Sequence, residues 1–523
     1  MISSSARYSE WQHRSPPCMA RDRRGFVLIL VLVVIMMLSF AAYSFSHRML
    51  TEYTAGKFSI QQVQRRLLAE SALELATVRA HRDQLQRPAR LTLSDGLHGQ
   101  FEVVPGINNR TGTMTHGVIN ESSRLNLNTL NVDSAHREET RTRLLQLPGM
   151  TPTLADSLLG WLANSPGSDL SSDNFLGAKE DAPRRIVEQL SDLLEVRGMT
   201  RELLWGEDQN QNTILDAEED DGAARWPTDN RDGQLELGLS QYLTVHSAES
   251  PLDSLGRPRI VLNQTNIASL FDDVQQEFGT NAALFIVACR MNGATYSDAI
   301  RPDEGDNLEK RKLERFETAR QRMRAQLGFA DDGSSAEATG AGQVRAGMTL
   351  TQPAVTFRSL VDLFGGHVRI LINGRDTVIN SPWPADPATL ARELPRLQER
   401  FTLEDKPAMG RININEADEA VLRAIPGVSE SQARSIFHKQ PKAGDLRPEY
   451  RSIAWLLTQG LLTPGEFREI APWITTGGDV FSGLAIGRLA GQGPASVIQF
   501  RVDCTSATPA LLFRRELSVL DLE

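Results

Sequence analysis

Near the N-terminus, residues 26–42 read FVLILVLVVIMMLSFAA, seventeen residues with Ser39 the sole polar member. With residues 43–46 the run reaches about 21, enough to cross a hydrocarbon core of ~30 Å as a helix. Upstream, residues 1–25 carry Arg7, Arg14, Arg21, Arg23 and Arg24 against Glu10 and Asp22. The excess of positive charge before the run predicts a cytoplasmic N-terminus and a body on the far side. No second run of this kind follows, so one span is expected. A secretory signal peptide is the alternative, but the small-residue cleavage pattern it needs is poor: Ala41-Ala42-Tyr43-Ser44 leads into Phe45, His47 and Arg48. Beyond the membrane Val63, Leu67, Ser71, Leu75 and Val78 recur at helical spacing, so the helix is expected to continue with one apolar or small stripe, and Pro88 to stop it.

The rest of the 523 residues is long enough for about three or four domains. A net charge of −10 argues against a chain that coats nucleic acid over its whole surface. Cys18, Cys289 and Cys504 cannot build a disulfide framework, and no CxxC offers a thiolate zinc site. There is no HExxH, no Gly-x-Ser-x-Gly and no Walker glycine loop, so no enzyme is expected.

The junction Arg23-Arg24-Gly25-Phe26 resembles the leader junction of type IV pilins and pseudopilins. The resemblance implies that a prepilin peptidase cuts between Gly25 and Phe26, that Phe26 is then methylated, and that the apolar segment stays as an assembly helix. It also implies an antiparallel sheet packed on that helix. Most pilins carry glutamate as the fifth residue after the cut; here that residue is Leu30. A carboxylate in lipid is costly unless paired, and within type II secretion the minor pseudopilin K family characteristically lacks it.

Strands are expected at 99–104, 496–502 and 510–520 from their alternation. The segment between them, about 110–478, repeats itself. Arg124-Leu125-Asn126-Leu127-Asn128 recurs as Arg411-Ile412-Asn413-Ile414-Asn415, with Arg259-Ile260-Val261-Leu262-Asn263 a weaker copy. Leu147-Pro148-Gly149-Met150 matches Ile425-Pro426-Gly427-Val428, and Gly198 and Thr200 match Gly460 and Thr463. This is a helix, a tight Pro-Gly turn and a second helix, a helix-hairpin-helix of the sterile-alpha-motif-like kind. Such hairpins can bind DNA through a Gly-x-Gly turn whose N–H groups contact phosphate; the second glycine is missing in both copies here. The K pseudopilins are similar in carrying a large helical insert with Asn-x-Asn entries and Pro-Gly hairpins.

One loop suggests a cation. Asp208, Asn210, Asn212, the Ile214 carbonyl, Asp216 and Glu219 occupy the ligand positions of a twelve-residue EF-hand frame, and hard oxygens at alternate positions suit Ca²⁺. Thr213 stands where glycine normally makes the bend. A weaker second loop holds Asn230, Asp232 and Glu236, with Leu239 where the bidentate ligand should be. A solvated acidic turn is the alternative for both.

The fold class expected is α+β: a pilin-like helix with a small antiparallel sheet, interrupted by an α-helical insert with two hairpin copies. The expected segments are a leader at 1–25, a transmembrane assembly helix at 26–48, and the pilin-like helix and first strand at 49–110. The first copy with its calcium loop follows at 111–250, then an extension of unknown role at 251–405. The second copy occupies 406–478 and the C-terminal strands 479–523. The resemblance implies a minor pseudopilin at the tip of the type II secretion pseudopilus, anchored in a bacterial inner membrane with its bulk periplasmic. Implied partners are the other minor pseudopilins, the major pseudopilin and the prepilin peptidase, with secreted cargo and the outer-membrane secretin beyond them. The alternative is a membrane-anchored helix-hairpin-helix protein that binds DNA in a DNA-uptake system.

Overall fold

A computed structural model describes residues 24–79, 89–92, 98–105, 117–163, 185–213, 215, 218–222, 224, 230–296, 340–442, 447–490 and 492–517. The architecture is mixed α+β, and the chain divides into two compact units, Met1–Gln64 and Arg65–Glu523. A helix Arg24–Arg79 is the first described element. Among the described residues it is the one helix long and apolar enough to cross a membrane. In the first unit the side chains from Val27 to Leu38 lie exposed, an arrangement that suits lipid and not water.

Within the second unit the last turns of this helix pack on a sheet. Its strands run in the order Ala89–Thr92, His98–Val104, Val480–Leu489, Gln492–Asp503, Ala510–Leu517, every pair antiparallel. The helix buries Ala69, Ala72, Leu73 and Ala76 against Val103, Phe481, Ala485, Ile498 and Phe500, and Leu68 beside Gly99 and Gly487. The buried face is not the stripe read from sequence: Leu67 and Val78 are 54% and 71% exposed, Ser71 is exposed too, and only Leu75 is partly covered. The small residues win because the sheet comes very close. A Cβ on Gly487 would stand 2.2 Å from the Arg65 carbonyl oxygen and 2.5 Å from the Ala69 nitrogen, so the helix backbone rests where only glycine leaves room. Arg66–Glu516 at 2.8 Å and Glu70–Arg514 at 2.9 Å tie the helix to the edge strand.

The expected strands at 99–104, 496–502 and 510–520 are found, the last described as far as Leu517. The central strand Val480–Leu489 pairs Val104 with Leu484 and Val103 with Ala485, which brings the two ends of the long insert together. The far face of the sheet is also covered: Val104, Leu484, Ile486, Val497 and Leu517 form a second buried cluster. At the seam with the insert lies Glu121, wholly buried. It pairs with Arg501 of the sheet at 3.2 Å and Arg124 at 3.7 Å, and accepts from the Thr244 hydroxyl at 2.5 Å. Burial alone would raise its pKa, but Arg501 and Arg124, helped by the Ser482 and Thr244 hydroxyls, outweigh it and hold the carboxyl far below the usual range. The same burial pulls Arg124 below the ordinary guanidinium value, so Arg501, closer to the carboxylate, is the stronger partner.

In the insert one local unit occurs three times. Short strands pair in parallel, Leu125 with Leu243, Ile412 with Ile474, and Ile260 with Phe401. The asparagines at the end of each entry bond the chain far downstream. Asn128 Nδ2 donates to the Val187 carbonyl at 2.8 Å, Asn415 to Tyr450 at 2.8 Å, and Asn263 to Phe357 at 3.0 Å. Five residues on from Val187 and Phe357, a capping aspartate closes a short turn: Asp192 accepts from Gln189 N at 3.0 Å and Asp362 from Ser359 N at 3.1 Å. Gly149, Gly427 and Gly279 join the two helices of each unit at φ +78°, +83° and +85°. The segment 251–405, in which sequence offered only the weaker entry at 259–263, therefore carries a third copy. A sheet is set into it, Arg375–Asn380, Gly366–Ile372, Met348–Thr349 and Val344–Arg345 in order. A helix Pro387–Arg400, capped by Asp386, follows that sheet. All three units contribute to one core that includes Leu144, Phe271 and Trp455.

Candidate functional site

The first acidic loop leaves the short helix Arg201–Trp205 through Gly206, at φ +62°. A Cβ there would lie 2.1 Å from the Glu236 carbonyl oxygen, so glycine permits the two acidic loops to touch. Glu207 N donates to that carbonyl at 2.8 Å, and Glu236 N returns to the Glu207 carboxylate at 3.0 Å. Asp208 and Asn212 are buried. The two Asp208 oxygens accept from Asn212 N at 2.9 Å and Thr213 N at 3.0 Å, while Asn210 Oδ1 accepts from the same Asn212 N at 2.9 Å. The Asp208 carboxylate and the Asn210 amide oxygen thus meet at one backbone N–H, that of Asn212. Thr213 takes φ +59°, the bend where glycine was missed, at a cost of about 1–2 kcal/mol.

Burial pushes the Asp208 carboxyl up to about 6, against the N–H groups of Thr213, Asn212 and Gln211 and the charge of Arg515. A desolvated carboxylate of this kind suits a hard cation. Glu219 is half-buried, while Ile214 and Asp216 lie outside the described residues. Among the described residues no three His, Cys, Asp or Glu side chains gather closely enough to hold a metal ion; the converging set here is one carboxylate with amide oxygens. In the second loop Asn230 Nδ2 donates to Glu236 at 3.2 Å, Asn230 Oδ1 accepts from Asp232 N at 2.9 Å, and Asp220 accepts from Gly233 N at 3.2 Å. Leu235 is buried beneath it.

Sequence missed what the first loop rests on. Arg515 Nη2 donates to the carbonyls of Asn210 and Gln211 at 2.8 and 3.0 Å, and Gln499 Nε2 to Gln211 at 3.1 Å. Gln499 and Arg515 are partners on adjacent strands of the main sheet. The one local signal was a pair of long polar side chains two residues apart on a strand, Gln499 and Arg501.

At the N-terminus, Gly25 and Phe26 fall in the opening of the helix Arg24–Arg79, and the leader residues before Arg24 lie outside the described residues. Leu30 is 54% exposed on that helix. The hairpin turns are closed inward: Met150 N donates to Leu147 O and Val428 N to Ile425 O, both at 3.2 Å. Met150 is buried and Val428 packs on the core. No family model, curated protein or solved structure matches the chain.

Proposed function

We propose that the chain is a minor pseudopilin of the K kind, a non-catalytic subunit at the membrane-distal tip of a type II secretion pseudopilus. The observation that carries this reading is the pairing of Val104 with Leu484. It sets a helix-on-sheet framework around an insert several times larger than itself, as the resemblance implies. The apolar N-terminal helix would be the anchor and assembly element, after cleavage at Gly25 and methylation of Phe26. Leu30 offers no carboxylate to a neighbouring amine, which favours a terminal place in the fibre over a place in the shaft. The exposed Leu67 and Val78 give the helix an apolar face for the other minor pseudopilins and the major pseudopilin. The insert is left outward, toward folded cargo and the outer-membrane secretin.

The acidic loops fit Ca²⁺ in this reading. Asp208, Asn210 and Asn212, with Ile214, Asp216 and Glu219, would hold the first ion, and a bound ion would supply positive charge to the buried carboxylate. Because Arg515 and Gln499 grip the same loop, filling it would also stiffen the junction of insert and sheet. The hairpin units belong to the packing kind. Against the DNA-uptake alternative, the Met150 and Val428 N–H groups, which a DNA-binding hairpin would turn to phosphate, are already bonded internally. Immunogold labelling of sheared pseudopili tests the placement: label confined to one end is expected, and label spread along the shaft contradicts it.

A further inference from the structure

A cleft of 530 Å³ opens between the first and second recurring units. The helix Arg137–Leu144 gives it Glu139 and Arg143, and the end of the helix Glu419–Arg423 with its Pro-Gly turn gives it Arg423, Pro426 and Gly427; Glu430 completes the rim. Arg143 is only 9% exposed. Its Nε donates to the Ala424 carbonyl at 2.9 Å, and its guanidinium lies 5.2 Å from the centre of the Trp473 ring. Its Nη groups have no acceptor among the described residues. Arg423 Nε is buried without a hydrogen-bond partner, and neither arginine makes an ion pair among the described residues.

Elsewhere Arg501 and Arg124 are matched by Glu121, while Arg290 is met by the carbonyls of Asn263 and Gln264 although its Nε, like that of Arg259, has no hydrogen-bond partner. Two cations on one cleft with no close ion pair, Arg143 feeling the charge of Glu139 through space, are costly until an anion arrives. We propose that this cleft is a binding site for a carboxylate, presented by an acidic side chain on a short segment of a partner protein. The planar guanidinium fork accepts a carboxylate through two parallel N–H bonds, and contact with Trp473 fixes the plane of Arg143. Glu139 and Glu430 on the rim repel a polyanion, so a segment with one acid flanked by a basic or neutral residue fits, and a nucleic-acid backbone does not. None of the residues that line the cleft belongs to the acidic loops or to the long helix, so its test is independent of both.

The full chain in detergent is titrated with the blocked dipeptide acetyl-Glu-Lys-amide at millimolar concentration, with succinate and inorganic phosphate as parallel arms, and binding is read by NMR or calorimetry. The dipeptide should bind saturably. Its Gln-Lys counterpart and the variant Arg423→Gln should each weaken binding at least about tenfold. Arg423→Gln should leave the melting temperature unchanged or raised, since it removes an unmatched cation. Arg143→Lys keeps the charge but loses the fork, and should also weaken binding. Phosphate binding more tightly than the dipeptide, succinate binding while the dipeptide does not, or no probe binding at all would overturn the proposal. So would dipeptide binding unchanged by Arg423→Gln.

Discussion

Glu121 is one carboxylate on which the sheet and the insert both depend. Glu121→Gln would leave Arg501 and Arg124 without their partner at a buried seam, at a cost of about 3–5 kcal/mol. The linkage has a definite sign. The folded carboxyl lies below the ordinary glutamate value of 4.5, so its contribution is fully present above that pH and is lost as pH falls toward the folded value. Acid unfolding followed by circular dichroism should therefore be steeper below about pH 4.5 in the native chain than in Glu121→Gln. Equal slopes would remove Glu121 from the account. Asp208 carries the second residue-scale expectation. Calcium should raise the melting temperature as its free concentration rises. Asp208→Ala should abolish that rise, and Glu219→Ala should weaken it through loss of the bidentate ligand. Calorimetry of the full chain in detergent checks this; binding unaffected by Asp208→Ala would reject the loop. Asp208, Asn210 and Asn212 were legible because alternate oxygens are a local pattern. Arg515 and Gln499 were not, because their partners are roughly 300 residues away and no local spacing encodes that contact.

At the scale of elements, the Asn-x-Asn entries and Pro-Gly turns were legible for the same local reason: an asparagine that folds back on the chain, and a glycine at positive φ, can be replaced by few residues. The third copy was hidden because Val261 stands where the other copies have Asn126 and Asn413, and Gly279 turns the chain without a preceding proline. Its remaining trace was Phe357-Arg358-Ser359-Leu360 beside Tyr450-Arg451-Ser452-Ile453. The central strand Val480–Leu489 was obscured by burial on both faces and by Gly483 and Gly487, which erase the alternation that marks a half-buried strand. The buried helix face was not legible because alanines, not the larger Val63 and Leu67, face a sheet this close. Gly487→Val should force helix and sheet apart and cost about 1–3 kcal/mol, read as a lower urea midpoint; no change would mean that the helix does not need this approach. The N-terminal helix carries its own expectation. Mature protein should begin at Phe26, and Gly25 replaced by a bulky residue should leave uncut precursor in the membrane. N-terminal sequencing that starts after Ala42 would return the chain to the secretory class.

For the whole molecule, a small helix-on-sheet framework is held shut around an insert of three linked units that share one core. In the proposed function such a body would block a subunit stacked upon it in a thin fibre, and Leu30 would give its helix no carboxylate to offer a subunit beyond it. Sequence made the anchor, the framework and two of the units legible, whereas the junction of framework and insert emerges only when Glu121, Arg501, Arg515 and Gln499 are brought together in space. The central claim is the terminal position, and site-specific crosslinking in membranes from Leu30 and Val63 tests it most directly. The account predicts crosslinks to other minor pseudopilins on the membrane-proximal side alone; crosslinks to major pseudopilin copies on both the membrane-proximal and membrane-distal sides would contradict it.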